Sequence, residues 1–143
     1  MNEKIYVNWS DFHSHVKILT ERLKSQKRNF NRIVAISRGG LIPAGILAYE
    51  MNIRNCDIVN ISSYDDDFMR DDNDIKIGKT LRDVDSHTLI VDDLADSGRT
   101  LRILHNFYPE AYFACVYAKP KGQDAVNCFA QEMPDKWVVF PWD

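Results

Sequence analysis

The sequence has few of the residues that build disulfide frameworks, structural metal sites or membrane spans. Its 143 residues include three cysteines and four histidines, and none of them falls in a close metal-ligand spacing. No apolar run approaches the ~20 residues of a membrane span, and no charged-then-apolar leader opens the chain. A net charge of −3 offers no basic surface for nucleic acid. These absences predict a cytoplasmic protein with no nucleic-acid partner and no integral membrane segment.

The apolar residues that are present, 45% of the chain, suit one compact domain spanning residues 1–143. A first helix is predicted with Ser10 as its cap, because Phe12, Val16, Leu19 and Leu23 recur at helical spacing. The other predicted elements are helices at 41–50 and after Thr100, and strands at 33–37, 57–62, 88–92, 112–118 and 137–140. This alternation predicts an α/β fold with a mostly parallel, twisted sheet flanked by helices.

The segment 88–100, which reads TLIVDDLADSGRT, carries the most specific pattern of the chain. Asp92 and Asp93 are expected at the carboxyl end of a buried strand, where open α/β sheets bind ligands. Such carboxylates accept hydrogen bonds from sugar hydroxyls or hold Mg²⁺, and the turn at 96–100 offers backbone N–H groups to a monophosphate. An ordinary capped turn with solvated acids does not require this full order. The segment predicts a ribose-phosphate cradle.

A second candidate phosphate loop is Ser37-Arg38-Gly39-Gly40, directly after a predicted strand. Its glycines allow a sharp turn and expose N–H groups, while the Arg38 guanidinium suits phosphate oxygens. Alone, a tight turn with a surface arginine explains the loop equally well. Together with segment 88–100, it predicts a pyrophosphate site.

A P-loop nucleotidase is the first alternative, because Gly78-Lys79-Thr80 and the Asp92-Asp93 pair imitate its two halves. Asn73 stands where that motif requires its first glycine, and no apolar strand precedes it. The spacing to Asp92 is also too short for the helix and strand that should intervene. The sequence therefore excludes a P-loop.

The order of motifs resembles that of the type I phosphoribosyltransferase family, and within it the bacterial xanthine-guanine branch. Besides the two loops above, the resemblance is carried by ISSY at 61–64, AKP at 118–120 and WVVFPWD at 137–143. It covers nearly the whole chain in the same order.

The resemblance implies a purine-salvage enzyme that transfers the 5-phosphoribosyl group of phosphoribosyl pyrophosphate (PRPP) to guanine, xanthine or hypoxanthine. Mg²⁺ is the implied cofactor, and a homo-oligomer, dimer or tetramer, is the implied assembly. A flexible lid is expected at about 64–79 and a small hood over the base at about 119–143. The peptide bond between Ser37 and Arg38 is expected to be cis.

Residue roles also follow from the resemblance. Asp96 is the expected catalytic group beside the purine nitrogen, and Asp93 the expected metal ligand. Lys119 is expected to donate to the 6-oxo group, Trp137 to stack on the purine and the Val138 carbonyl to read its 2-position. The residues assigned to PRPP and phosphate are Arg38, Gly39, Arg70, Asp92, Asp93, Leu94, Ala95, Asp96, Ser97, Gly98, Arg99 and Thr100.

Two further alternatives stay open. One is a non-catalytic regulator that keeps the cradle as a PRPP sensor, and the other is a transferase for orotate, uracil or adenine. The acidic segment 65–74 is consistent with either a lid or a solvated loop. Arg99 stands where the family carries a small residue, and the family continues past the position of Asp143, so the ranking of the three purines stays open.

Overall fold

The computed structural model describes residues 3–63 and 75–143. The helices are α1 (Trp9–Lys24), α2 (Leu41–Glu50) and α3 (Arg99–Phe107), with a short 3-10 helix at Gln123–Ala125. The strands are β1 (Lys4–Tyr6), β2 (Arg32–Ser37), β3 (Cys56–Ser63), β4 (Ile75–Ile77), β5 (Thr88–Ala95), β6 (Tyr112–Ala118), β7 (Cys128–Glu132) and β8 (Trp137–Val139).

Six of these strands form one sheet in the order β4-β3-β2-β5-β6-β7. The pairings from β3 through β7 are parallel, and β4 joins the edge antiparallel to β3. Continuous apolar runs form the central strands because both faces of the sheet are covered. Helices α1 and α2 pack on one face and α3 packs on the other. The predicted α/β class, with a mostly parallel sheet flanked by helices, is confirmed.

The N-cap of the first helix lies two residues before the predicted one. Asn8 is the N-cap, with extended backbone, and its Oδ1 accepts a hydrogen bond of 2.7 Å from the Asp11 N–H. Ser10 lies inside the first turn. Asparagine and serine both cap helices well, but the residue in the cap position is Asn8, so the prediction of Ser10 was wrong. The face of Phe12, Val16, Leu19 and Leu23 is buried as expected.

The strands differ from prediction at several points. β5 continues to Ala95, because Leu94 and Ala95 pair with Tyr117 and Ala118 of β6. Strands β1, β4 and β7 were not predicted, and β8 leaves the main sheet to form a two-stranded parallel sheet with β1. The lid was expected to reach residue 79, but residues 75–77 form β4. Its remaining part at 64–74, including Arg70, lies outside the described residues.

Within residues 3–63 and 75–143, none of the helices combines the length and the apolar character needed to cross a membrane.

Candidate active site

The candidate site lies where neighbouring strands β2 and β5 end. The turn after β2 is closed by hydrogen bonds from Gly40 N to Ile36 O at 2.8 Å and from Leu41 N to Arg38 O at 3.0 Å. The peptide bond between Ser37 and Arg38 is cis, as expected from the resemblance. α2 begins directly after this turn. The predicted anion loop is therefore held between a central strand and a helix.

Two glycines of this turn occupy positions where a side chain does not fit. A Cβ on Gly39 would lie 2.6 Å from the Asp93 Oδ2 atom, so the turn and the carboxylate are in direct contact. A Cβ on Gly40 would overlap the Val91 carbonyl oxygen and lie 2.8 Å from the Ile36 carbonyl oxygen. The glycines are needed for close approach of the turn to β5.

Asp92 and Asp93 stand side by side on β5, and Asp93 N donates to Asp92 Oδ1 at 2.8 Å. Both are partly buried. Burial raises the pKa of the Asp92 carboxyl well above its usual range, and the charge of Asp93 raises it further. Burial also raises the pKa of Asp93, against hydrogen bonds from Asp92 and from the Leu94 N–H that lower it. The pair is therefore a place where cationic or hydrogen-bond-donating partners are favoured.

The predicted phosphate loop forms a small concave site of about 100 Å³, lined by Asp92 and by residues 94–101. Gly98 has a φ of 86°, a conformation that other residues rarely adopt, and it immediately precedes α3. The N-terminal amides of a helix have no partner within the helix and carry partial positive charge. This arrangement suits a monophosphate.

Lys119 lies beside this loop and not on the open surface. It is 6% exposed, and its Nζ is 3.2 Å from Asp96 Oδ1. Its backbone N–H donates to the Ala95 carbonyl at 2.9 Å. The structure thus brings the residue expected to act on the purine nitrogen next to the residue expected to hold the 6-oxo group.

Trp137 and Val138 lie on β8 in the small sheet. Trp137 is 65% exposed, which leaves a flat apolar face open to solvent, whereas Val138 is buried in the core and paired with Ile5. A tryptophan within an apolar run is usually buried in the core, so the exposure of Trp137 is unusual. Their contact with a purine stays a prediction.

The end of the chain supplies two site residues that the sequence reasoning missed. Trp142 and Asp143 line a cleft of about 610 Å³ together with Arg38, Gly39 and Asp93. The Trp142 ring stacks on Phe140 with 4.7 Å between ring centroids. A hydrogen bond from Phe140 N to Asp143 Oδ2, 2.8 Å long, holds the turn. Local sequence gives no signal for this placement beyond the WVVFPWD motif itself.

Comparison with known proteins agrees with this geometry. A family model described as the phosphoribosyl transferase domain matches residues 4–143. A xanthine-guanine phosphoribosyltransferase of Idiomarina loihiensis is 39% identical over 143 residues, covering 99% of this chain and 88% of that protein.

Solved structures give the same answer at the level of the fold. A purine phosphoribosyltransferase of Pyrococcus horikoshii has a TM-score of 0.82 at 26% identity, covering 98% of this chain and 94% of that one. A xanthine-guanine-hypoxanthine phosphoribosyltransferase of Helicobacter pylori shares the fold with a TM-score of 0.79 at 22% identity, covering the same shares of each chain. The family model that matches residues 4–143 and the 39% identical relative show that the chain belongs to the phosphoribosyl transferase domain family.

Proposed function

We propose that this chain is a purine-salvage phosphoribosyltransferase that moves the 5-phosphoribosyl group of PRPP to guanine, xanthine or hypoxanthine. The observation that carries the proposal is the convergence of three features at one sheet edge. These are the Asp92-Asp93 pair, the phosphate loop at 96–100 and the Lys119–Asp96 ion pair. The relatives reported above act, by their names, on purines, which supports the choice of acceptor.

In the proposed complex, the two ends of PRPP occupy the two glycine-containing loops. The 5-phosphate sits on the amides of residues 96–100 at the start of α3, and the pyrophosphate faces Arg38 and Gly39. The ribose hydroxyls donate to Asp92 and Asp93, whose partly buried carboxylates gain from such donors. Arg70, in the segment outside the described residues, is proposed as an additional pyrophosphate contact.

Magnesium is proposed to bind this site together with the substrate. Among the described residues no cluster of three or more candidate metal ligands occurs. Mg²⁺ is commonly held by one or two carboxylates together with substrate phosphates, and Asp93, beside the pyrophosphate loop, is the proposed protein ligand. When bound, the ion would neutralise charge on the departing pyrophosphate. Activity that persists in excess chelator, with no added Mg²⁺, would remove this part of the proposal.

The acceptor purine is proposed to lie between the Asp96–Lys119 pair and Trp137. In the transfer, the bond between the ribose C1 and the pyrophosphate oxygen breaks, and a bond from C1 to a purine ring nitrogen forms. Asp96 takes the proton from that nitrogen, and Lys119 donates a hydrogen bond to the 6-oxo group. Asp96 and Lys119 form an ion pair of 3.2 Å before substrate binds. On binding, the purine replaces this ion pair with one hydrogen bond to each of the two side chains.

The test is a set of parallel assays with PRPP, Mg²⁺ and one base at a time, with nucleotide formation followed by chromatography. We expect a nucleoside monophosphate and pyrophosphate from at least one of guanine, xanthine and hypoxanthine, and none from the adenine control. Orotate and uracil are assayed alongside. Binding of PRPP without turnover of any base would favour the sensor alternative, and turnover of adenine, orotate or uracil alone would replace the proposed acceptor.

A homo-oligomeric, cytoplasmic enzyme completes the proposal. Light scattering coupled to size-exclusion chromatography checks the assembly, for which a dimer or tetramer is expected. Fractionation of cells that produce the protein checks its location.

A further inference from the structure

Arg102, at the end of the first turn of α3, connects two loops of the candidate site. Its Nη1 atom donates to the Ser97 carbonyl in the phosphate loop at 2.8 Å. Its Nη2 atom donates to the Lys121 carbonyl at 3.1 Å and to Asp124 Oδ1 at 2.5 Å. One guanidinium therefore spans the phosphate loop and the loop that follows Lys119.

The same two loops are packed backbone against backbone. Lys119 N donates to the Ala95 carbonyl at 2.9 Å, which joins the two segments, and within the Lys119 loop Gly122 N donates to the Lys119 carbonyl at 2.9 Å. A Cβ on Gly122 would overlap the Ala95 carbonyl oxygen, and one on Gly98 would lie 2.7 Å from the Ala125 Cβ. At Gly122 the backbones of the two loops are in direct contact, so a small shift of one displaces the other.

We propose that Arg102 is a positioning residue that holds the phosphate loop and the Lys119 loop in one fixed arrangement, so that phosphate and purine sites are ordered together. The proposal rests on the proposed function. A planar guanidinium serves several acceptors at fixed angles, which a lysine ammonium on a flexible stem does not reproduce. The ion pair with Asp124 is secondary, because the Asp124 side chain is 82% exposed and exposed pairs contribute little.

Removal of this contact is expected to act on binding more than on chemistry. Arg102→Met leaves Asp96 and Lys119 in place, but substrates must then order both loops as they bind. This cost of ordering the loops weakens the binding of the ground state and of the transition state alike. It therefore raises KM and leaves kcat nearly unchanged. We expect KM for PRPP and KM for the purine each to rise about fivefold to tenfold, the equivalent of about one ordinary hydrogen bond, while kcat changes less than about twofold.

Three further variants test whether the rise in KM comes from the Arg102 guanidinium. Arg102→Lys keeps the charge but not the fork and should fall between wild type and Arg102→Met. Asp124→Asn removes only the exposed partner and should leave both KM values within about twofold. Arg22→Met is the matched control, because Arg22 is also an exposed arginine that donates to a backbone carbonyl, that of Phe129 at 2.6 Å, outside these two loops. Its KM values should equal those of wild type.

The experiment combines steady-state kinetics of these variants with hydrogen exchange of the substrate-free proteins. Faster exchange in both 97–100 and 119–122 in Arg102→Met, together with the paired KM rise, supports the proposal. KM values within twofold of wild type, a rise for one substrate only, or faster exchange in one loop only overturns it. If Arg102→Met does not fold, the same readouts on Arg102→Lys decide. A wild-type protein inactive with every purine refutes the proposed function instead, and hydrogen exchange still tests the connection.

Discussion

The two sides of the cleft are built in different ways. The proposed phosphate side comes from two short stretches of chain, at the ends of β2 and β5, and its contacts are largely backbone and partly buried carboxylate. The proposed purine side is formed near the end of the chain by Lys119, which is buried, and by Trp137, which is mostly exposed. The difference teaches that substitutions in the glycine turn should disturb the folding of the sheet, whereas substitution of the exposed Trp137 should change stability little.

The strongest test of the phosphate side is Gly40→Ala. Its Cβ would overlap backbone of β5 and approach backbone of β2, which cannot move without disrupting the central sheet. We expect a loss of roughly 3 kcal/mol in the free energy of unfolding, or failure to fold. Denaturant unfolding measures it against Gly45→Ala as control, because Gly45 lies in α2 with no atom near its Cβ position. The control should gain about 0.5–1 kcal/mol. Equal effects of the two substitutions would contradict the packing argument.

Asp96→Asn tests the junction between the two sides. The Asp96 side chain is 65% exposed, so folding should be unaffected. If Asp96 accepts the purine proton, kcat should fall about 100-fold or more while KM for PRPP changes little. Steady-state kinetics with a matched thermal melt checks both statements. A kcat near the wild-type value would remove Asp96 from the chemistry.

Trp137→Ala tests the purine side. Stacking of a purine on this ring is expected to be worth about 1 kcal/mol, so KM for the purine should rise about fivefold while KM for PRPP and Tm stay unchanged. Trp142→Ala is the contrasting variant. Its ring contacts Phe12 and Phe140, and its loss should lower Tm. A Trp137 variant with unchanged purine KM would leave that ring outside the acceptor site.

Asp92→Asn gives the smallest effect and a defined pH dependence. A carboxyl whose pKa is raised by folding contributes its stability below the unfolded pKa and loses it as pH rises through the folded value. As pH rises from about 4 to neutrality, the free energy of unfolding of the wild-type protein should therefore fall relative to that of the variant. We expect the variant to melt a few degrees higher at neutral pH, where ~1 kcal/mol shifts Tm by about 2–4 °C, and to show no advantage in acid. Thermal melts of both proteins at several pH values measure this difference. A Tm difference that stays constant across pH would contradict the raised pKa as its cause.

The same contrast explains what the sequence could predict. The central strands and the two glycine loops have strong local signals, because apolar runs and turn residues act over a few neighbours. β8 was predicted at 137–140, but β1 is only three residues long and its pairing with β8 spans almost the whole chain, so no local pattern marks β1 or this pairing. Trp142 and Asp143 reach the cleft only through the turn at Phe140. Nothing in the sequence distinguishes Arg102 from the other arginines. Only the structure shows that its guanidinium donates to backbone carbonyls in two loops.

The pairing of β1 with β8 can form only late in synthesis. β2, β5 and residues 96–100 have been made once the chain extends through α3, whereas the partner of β1 is made near the end of the chain. A nascent or truncated chain that ends before β8 therefore contains both glycine-containing loops proposed for phosphate but lacks Trp137, the ring proposed to stack on the acceptor.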